Sequence, residues 1–102
     1  VPLAIRGLDP VLLLEGREEM GKPEIVADHG GYRYQFVSEP SRVAFVADPR
    51  KFAFRNTACL VVPGAPVDPA QFAVYEKRLY GFATPDCVRQ FKAQPGAYVK
   101  GQ

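Results

Sequence analysis

The sequence has no tryptophan, one methionine, one histidine and two cysteines, so the residue types that most often carry catalysis and metal binding are scarce. A G-x-S-x-G motif, a glycine-rich phosphate loop and an H-E-x-x-H motif are all missing, and no serine or cysteine stands beside His29. A nucleophilic pair of Cys87 and His29 would require a fold that brings the two side chains together. We therefore expect a protein that is not an enzyme.

The sequence also lacks a large excess of charge of either sign. The 13 basic and 11 acidic residues leave a formal net charge of +2 and are interspersed, whereas a nucleic-acid surface needs a basic stripe. No apolar run approaches the length of a membrane-spanning helix. A chain of 102 residues can build one small core, so the sequence predicts a single domain over 1–102, without nucleic-acid partners and not membrane-spanning.

The sequence does contain an internal repeat. Residues 26–52 align without a gap on residues 72–98, as expected when each copy is one supersecondary unit. The matched pairs are Ala27 with Ala73, Tyr34 with Tyr80, Phe36 with Phe82, Ser38 with Thr84, Phe45 with Phe91, Ala47 with Ala93, Pro49 with Pro95 and Phe52 with Tyr98. We predict one unit over about 7–52, a connector over 53–70 and a second unit over about 71–99.

Each unit has the pattern of a β-hairpin followed by a helix. In the first unit, alternating residues from Glu24 onward flank Gly30-Gly31, which favours a tight turn. Ser38 with Pro40 then marks a helix N-terminus, and Asp48-Pro49 ends that helix. The fold class predicted is α+β, with two pseudo-symmetric hairpin-helix units packed through their aromatic faces.

The remaining segments are predicted more coarsely. Glu76-Lys77 forms the turn of the second hairpin, and Thr84 caps the second helix. Val11–Leu14 is either a short buried strand or a helical turn. The connector is an ordered loop with a short strand over Cys59–Val62, and the polar tail 100–102 is expected to fray.

These patterns resemble the YHS domain, a small module related to the TRASH metal-binding domains and to treble-clef-like zinc folds. The opening is Gly7-Leu8-Asp9-Pro10-Val11, and the first unit continues with Tyr32, Tyr34, Phe36, Ser38, Phe45, Asp48, Pro49 and Phe52. The second unit matches through Tyr80, Gly81, Phe82, Ala83, Thr84, Cys87, Phe91, Pro95 and Tyr98. The resemblance covers nearly the whole chain and implies two tandem treble-clef-like units.

The chain is similar to the Cys-poor members with a Gly-x-Asp-Pro-Val opening, which occur as small extracytoplasmic bacterial proteins. This similarity implies a non-enzymatic binding or accessory module with an unidentified protein partner or metal ion. It also implies a periplasmic or secreted location. Since the chain begins at Val1, we expect that a signal peptide has been removed.

The resemblance further implies that the metal site is a vestige. Metal-binding members carry a Cys after the Asp-Pro-Val opening and a C-x-x-x-C pair after the aromatic strand. At these positions the first unit has Leu12 or Leu13, Val37 and Ser41. The second unit has Ala83 and Cys87, with Cys59 upstream, so a zinc site of four such ligands cannot be assembled.

Several interpretations of the two thiols remain open. Cys59 and Cys87 can form a disulfide, which would contribute about 3 kcal/mol to stability. They can instead bind copper or zinc, with His29 as a candidate third ligand, or act as a thiol redox pair. They can also be two unrelated buried thiols. Because Cys87 lies near the start of the second helix, we expect the helix N-terminus to lower the pKa of Cys87.

Overall fold

The computed structural model describes residues 1–99, and the tail 100–102 lies outside the described residues. The elements in chain order are a short helical turn (Ala4–Gly7), α1 (Pro10–Leu13), β1 (Lys22–His29), β2 (Tyr32–Phe36), α2 (Glu39–Ala47), α3 (Pro49–Phe52), β3 (Asp68–Tyr75), β4 (Arg78–Phe82), α4 (Pro85–Ala93) and α5 (Pro95–Tyr98). Strands β1 and β2 pair antiparallel, and so do β3 and β4. The predicted α+β class is confirmed. Over residues 1–99, no helix is long and apolar enough to cross a membrane.

The internal repeat extends to the register of the two hairpins. Ala27 lies opposite Tyr34 in the first hairpin, and Ala73 lies opposite Tyr80 in the second, so the two pairs differ by the 46 residues of the sequence repeat. Each hairpin also has a break in register at the same place. The break lies between Lys22 and Val26 in the first hairpin and between Asp68 and Phe72 in the second.

Helices α2 and α4 begin as predicted. The Ser38 hydroxyl oxygen accepts a hydrogen bond from the backbone N–H of Ser41 at 3.4 Å. The Thr84 hydroxyl oxygen accepts one from the backbone N–H of Cys87 at 3.2 Å. These bonds satisfy an N–H group that the helix itself leaves free, and the proline in each first turn has no N–H to satisfy.

The N-terminal segment and the connector add details that the sequence left open or predicted incorrectly. Val11–Leu14 takes the helical alternative, because the Asp9 side chain caps α1. The predicted strand over Cys59–Val62 is wrong. The chain bends there, since the N–H groups of Val61 and Val62 turn toward the sulfur of Cys59 instead of a neighbouring strand. Strand β3 begins at Asp68, inside the predicted connector.

The aromatic rings around Phe45 and Phe91 pack within their own units. Phe45 lies 4.9 Å from Tyr34 between ring centroids, and Phe91 lies 4.9 Å from Phe82. Contact between the units involves two residues of the second hairpin: Leu79 of β4 is buried in the core of the first unit, and Phe72 of β3 packs against that core. The expected packing of the two units through their aromatic faces is found only at Phe72, because the rings around Phe45 and Phe91 are covered by the helix of their own unit.

Candidate functional site

Cys59 lies in the connector, where the chain bends back on itself. Its backbone N–H donates to the carbonyl oxygen of Ala65 at 2.9 Å, and its side chain is only 3% exposed. The sulfur accepts a hydrogen bond from the backbone N–H of Val62 at 3.5 Å. The N–H groups of Val61 and Ala83 lie close enough to the sulfur to lower the pKa of the Cys59 thiol. We call this arrangement of three backbone N–H groups a donor pocket.

The first unit contains a donor pocket of the same construction. The side chain of Asp9 is completely buried. Its Oδ1 accepts from the N–H of Val11 at 2.8 Å and of Leu12 at 3.2 Å, and its Oδ2 accepts from the N–H of Val37 at 3.0 Å. In both pockets the donors are therefore the second and third residues after the acceptor, together with the residue after the hairpin.

The backbone confirms that Asp9 and Cys59 occupy equivalent positions. The N–H of Asp9 donates to Glu19 at 2.9 Å, as the N–H of Cys59 donates to Ala65 at 2.9 Å, and Glu19 and Ala65 are themselves 46 residues apart. The loop after Asp9 is four residues longer than the loop after Cys59. This difference hides the equivalence from a gap-free alignment, so sequence reasoning missed the carboxylate that corresponds to the thiol.

The donor pocket changes the acidity of Cys59. Burial raises the pKa of the Cys59 thiol, but hydrogen bonds to the sulfur act in the opposite direction and prevail. The donors are the N–H groups of Val62, Ala83 and Val61 and the thiol of Cys87. The pKa of Cys59 is therefore below its ordinary value, which favours the thiolate. The sequence had placed the expected thiolate at Cys87 instead.

Cys87 lies in the first turn of α4 and is 3% exposed. Its sulfur accepts a hydrogen bond from the Thr84 hydroxyl at 3.2 Å, and its thiol lies near Cys59, where it helps to lower the pKa of the Cys59 thiol. The first unit has Ser41 at this position and no thiol. The structure thus brings the two predicted thiols together, one positioned by the connector and the other by the start of α4.

Asn56 holds this part of the connector against β4. Its Nδ2 donates to the carbonyl oxygens of Ala58 at 2.6 Å and Gly81 at 2.8 Å, and its Oδ1 accepts from the Gly81 N–H at 2.9 Å. No sequence pattern marked Asn56, because Gly81 lies 25 residues further along the chain. A depression of about 410 Å³ beside these residues is lined by Cys59 and Tyr98.

His29 is placed elsewhere. Its ring packs edge-on against Phe45, with 6.3 Å between centroids, in the first unit. Among residues 1–99, no three His, Cys, Asp or Glu side chains come close enough to hold one metal ion. Of the predicted set, the structure brings Cys59 and Cys87 together and leaves His29 apart from them. The reason is that the hairpin tip carrying His29 folds onto its own helix.

Both cysteines are free thiols in the structure, so the predicted disulfide is not formed here. The fold and the site define a small α+β protein with two neighbouring buried thiols, which we call the dithiol centre. Comparison of the chain with family models, curated proteins and solved structures finds no match. Its relation to the YHS domain is consequently a matter for proposal.

Proposed function

We propose that this chain is a non-enzymatic binding module of the YHS type whose second unit holds one soft metal ion between Cys59 and Cys87. The observation that carries the proposal is that two buried thiols lie near each other, in a pocket that favours a thiolate at Cys59. A vestigial site without a function would need neither two neighbouring thiols nor a lowered pKa at Cys59. The resemblance in the Gly7–Val11 opening and the aromatic strands supports the type of module, and it alone supports a location outside the cytoplasm.

The number of ligands favours copper over zinc. Cu(I) prefers thiolates, so a pair of sulfur ligands suits it. Structural zinc is almost always bound by four ligands, and residues 1–99 provide no third His, Cys, Asp or Glu beside the dithiol centre. We therefore expect Cu(I) to bind to the dithiol centre and Zn(II) to bind at least tenfold more weakly.

A competition titration against a chromophoric Cu(I) chelator, under anaerobic and reducing conditions, tests the proposal. Wild-type protein should take up one Cu(I), and Cys59→Ser and Cys87→Ser should each lower the affinity at least a hundredfold. Met20→Leu is the matched control, because it removes the only other sulfur and Met20 is 63% exposed, away from the site. It should bind Cu(I) like the wild type.

Tight binding that survives both cysteine substitutions would contradict the proposal, and so would a wild-type protein that takes up no Cu(I). Each variant is first checked by circular dichroism and thermal unfolding, so that loss of binding is not confused with loss of the fold. Zn(II) binding as tight as that of Cu(I) would contradict the choice of metal.

A further inference from the structure

The two donor pockets hold side chains with different numbers of acceptor atoms. In the first unit, the two carboxylate oxygens of Asp9 divide three backbone N–H groups between them. In the second unit, the corresponding N–H groups are those of Val61, Val62 and Ala83, and they face a single sulfur atom, to which the Val62 N–H donates at 3.5 Å. The second pocket is therefore built like a site for two oxygen atoms but is occupied by a single thiol.

A cysteine sulfinate offers the same number of acceptor oxygens as the side chain that this pocket holds in the first unit. It carries two oxygen atoms and one negative charge on the atom that follows Cβ, as an aspartate does. At position 59, one oxygen would accept from Val61 and Val62, and the other from Ala83. We propose that Cys59 is an oxidation site whose sulfinate is held by the donor pocket as the Asp9 carboxylate is held in the first unit.

The oxidant is a peroxide, and two equivalents are consumed. In the first step the Cys59 sulfur attacks one peroxide oxygen, an S–O bond forms and the O–O bond breaks. The leaving hydroxide takes a proton to become water, and the sulfur, oxidised by two electrons, is a sulfenic acid. A second peroxide repeats the exchange at the same sulfur, which gives the sulfinic acid and another water. The sulfinic acid then loses its proton.

The reaction of Cys87 determines whether the oxidation of Cys59 ends in a disulfide or in a sulfinate. The sulfur of Cys87 lies near that of Cys59, so it can attack the sulfenic acid. An S–S bond then forms, the S–O bond breaks, and hydroxide leaves with the Cys87 proton as water. A low peroxide supply therefore gives a reducible disulfide. The sulfinate accumulates when a second peroxide reaches Cys59 first, by way of the depression that Cys59 lines.

A substitution tests the pocket without any oxidant. Cys59→Asp places two carboxylate oxygens before the three donors, whereas Cys59→Asn has the same shape but only one oxygen. Cys59→Asp should unfold at a temperature about 4 °C or more above that of Cys59→Asn. In the first unit Asp9→Asn is the matched control and should lower the unfolding temperature. An unfolding temperature for Cys59→Asp below that of Cys59→Asn would overturn the inference.

Direct oxidation provides the second test. Metal-free Cys87→Ser protein is treated with hydrogen peroxide and analysed by intact mass and peptide mapping. Cys59 should gain two oxygen atoms that a thiol reductant does not remove, and the oxidised protein should unfold at a higher temperature than the reduced protein. The proposal would be overturned if Cys59 gained no oxygen or was oxidised directly to the three-oxygen sulfonate. It would also be overturned if the oxidised protein unfolded at a lower temperature than the reduced protein.

This inference uses the same thiol as the proposed metal site but does not depend on the metal. A protein that fails to bind Cu(I) can still form a stable Cys59 sulfinate, because the oxidation is performed on metal-free protein. Conversely, failure of the Cys59→Asp and peroxide experiments leaves the Cu(I) titration untouched. The two proposals can therefore fail separately.

Discussion

Tyr34 shows how a single buried side chain joins β2 to the connector. The residue is completely buried, and its hydroxyl oxygen accepts a hydrogen bond from the backbone N–H of Phe54 at 3.1 Å. Burial raises the pKa of Tyr34 to about 12, because the ionised phenolate would lose its hydration. The neutral form is therefore the one that the folded protein stabilises.

The variant Tyr34→Phe should be less stable than the wild type by about 1–2 kcal/mol at neutral pH, because the Phe54 N–H loses its acceptor. Since the pKa of Tyr34 rises from 10.0 to about 12 on folding, its contribution is complete below pH 10 and is lost as the pH rises through about 12. The difference between wild type and variant should shrink over that range in urea unfolding experiments.

Tyr80→Phe is the matched control at neutral pH, since it removes the hydroxyl at the same repeat position of the second unit without affecting Phe54. A wild-type advantage over Tyr34→Phe that stays constant from pH 10 to pH 12 would contradict the role given to Tyr34.

At the scale of elements, each unit has a close approach between the segment before its hairpin and the second strand, and a glycine makes room for it. The glycine lies on a different segment in each unit. A Cβ atom at Gly21 would lie 2.5 Å from the carbonyl carbon of Gln35, so here the first chain segment carries the glycine. In the second unit the corresponding residues are Val67 and Gly81, and a Cβ at Gly81 would lie 2.5 Å from Cγ1 of Val67. Of the two facing residues in each unit, only one can therefore carry a side chain.

Gly81→Ala should therefore destabilise the protein by about 1–3 kcal/mol through overpacking against Val67. The same substitution in a Val67→Ala background should cost less, because Cγ1 of Val67 is gone. A double-mutant cycle from chemical denaturation should give a favourable coupling of about 0.5–3 kcal/mol. Strictly additive effects of the two substitutions would show that the contact does not determine the choice of glycine.

Some elements could be predicted from the sequence and others could not. Hairpins and helix starts were predicted correctly because their signals are local, as in the Ser38 and Thr84 caps. The connector was predicted incorrectly because Leu60–Val62 has the apolar pattern of a strand, while its backbone donors serve the Cys59 sulfur. The proximity of Cys59 and Cys87 was one of the interpretations left open for the only two thiols, but the donor pocket depends on Ala83, which no local pattern connects to Cys59.

At the scale of the molecule, Leu79 of the second unit is part of the core of the first unit. At the equivalent position the first unit has Arg33, which is exposed and pairs with Asp28 at 2.8 Å. Leu79 is instead 1% exposed and packs with the buried residues of the first unit. The pseudo-symmetry is therefore broken where the units meet, and the second hairpin completes the core of the first unit.

Leu79→Ala should lower the free energy of unfolding by about 2–5 kcal/mol and leave a single cooperative transition. Amide hydrogen exchange should show faster opening in both hairpins, because the lost contact belongs to both units. Val74→Ala, on the neighbouring strand, removes a side chain that is 38% exposed and should cost much less. Faster exchange confined to β3 and β4 would mean that the units fold separately.

The most direct test of the dithiol centre is the intact native mass of the protein after exposure to Cu(I) in a reducing buffer. The account predicts a mass increase of one copper ion on the wild type and on Met20→Leu, and none on Cys59→Ser or Cys87→Ser. A wild-type chain that stays metal-free would contradict the account, as would copper retained after either cysteine is replaced.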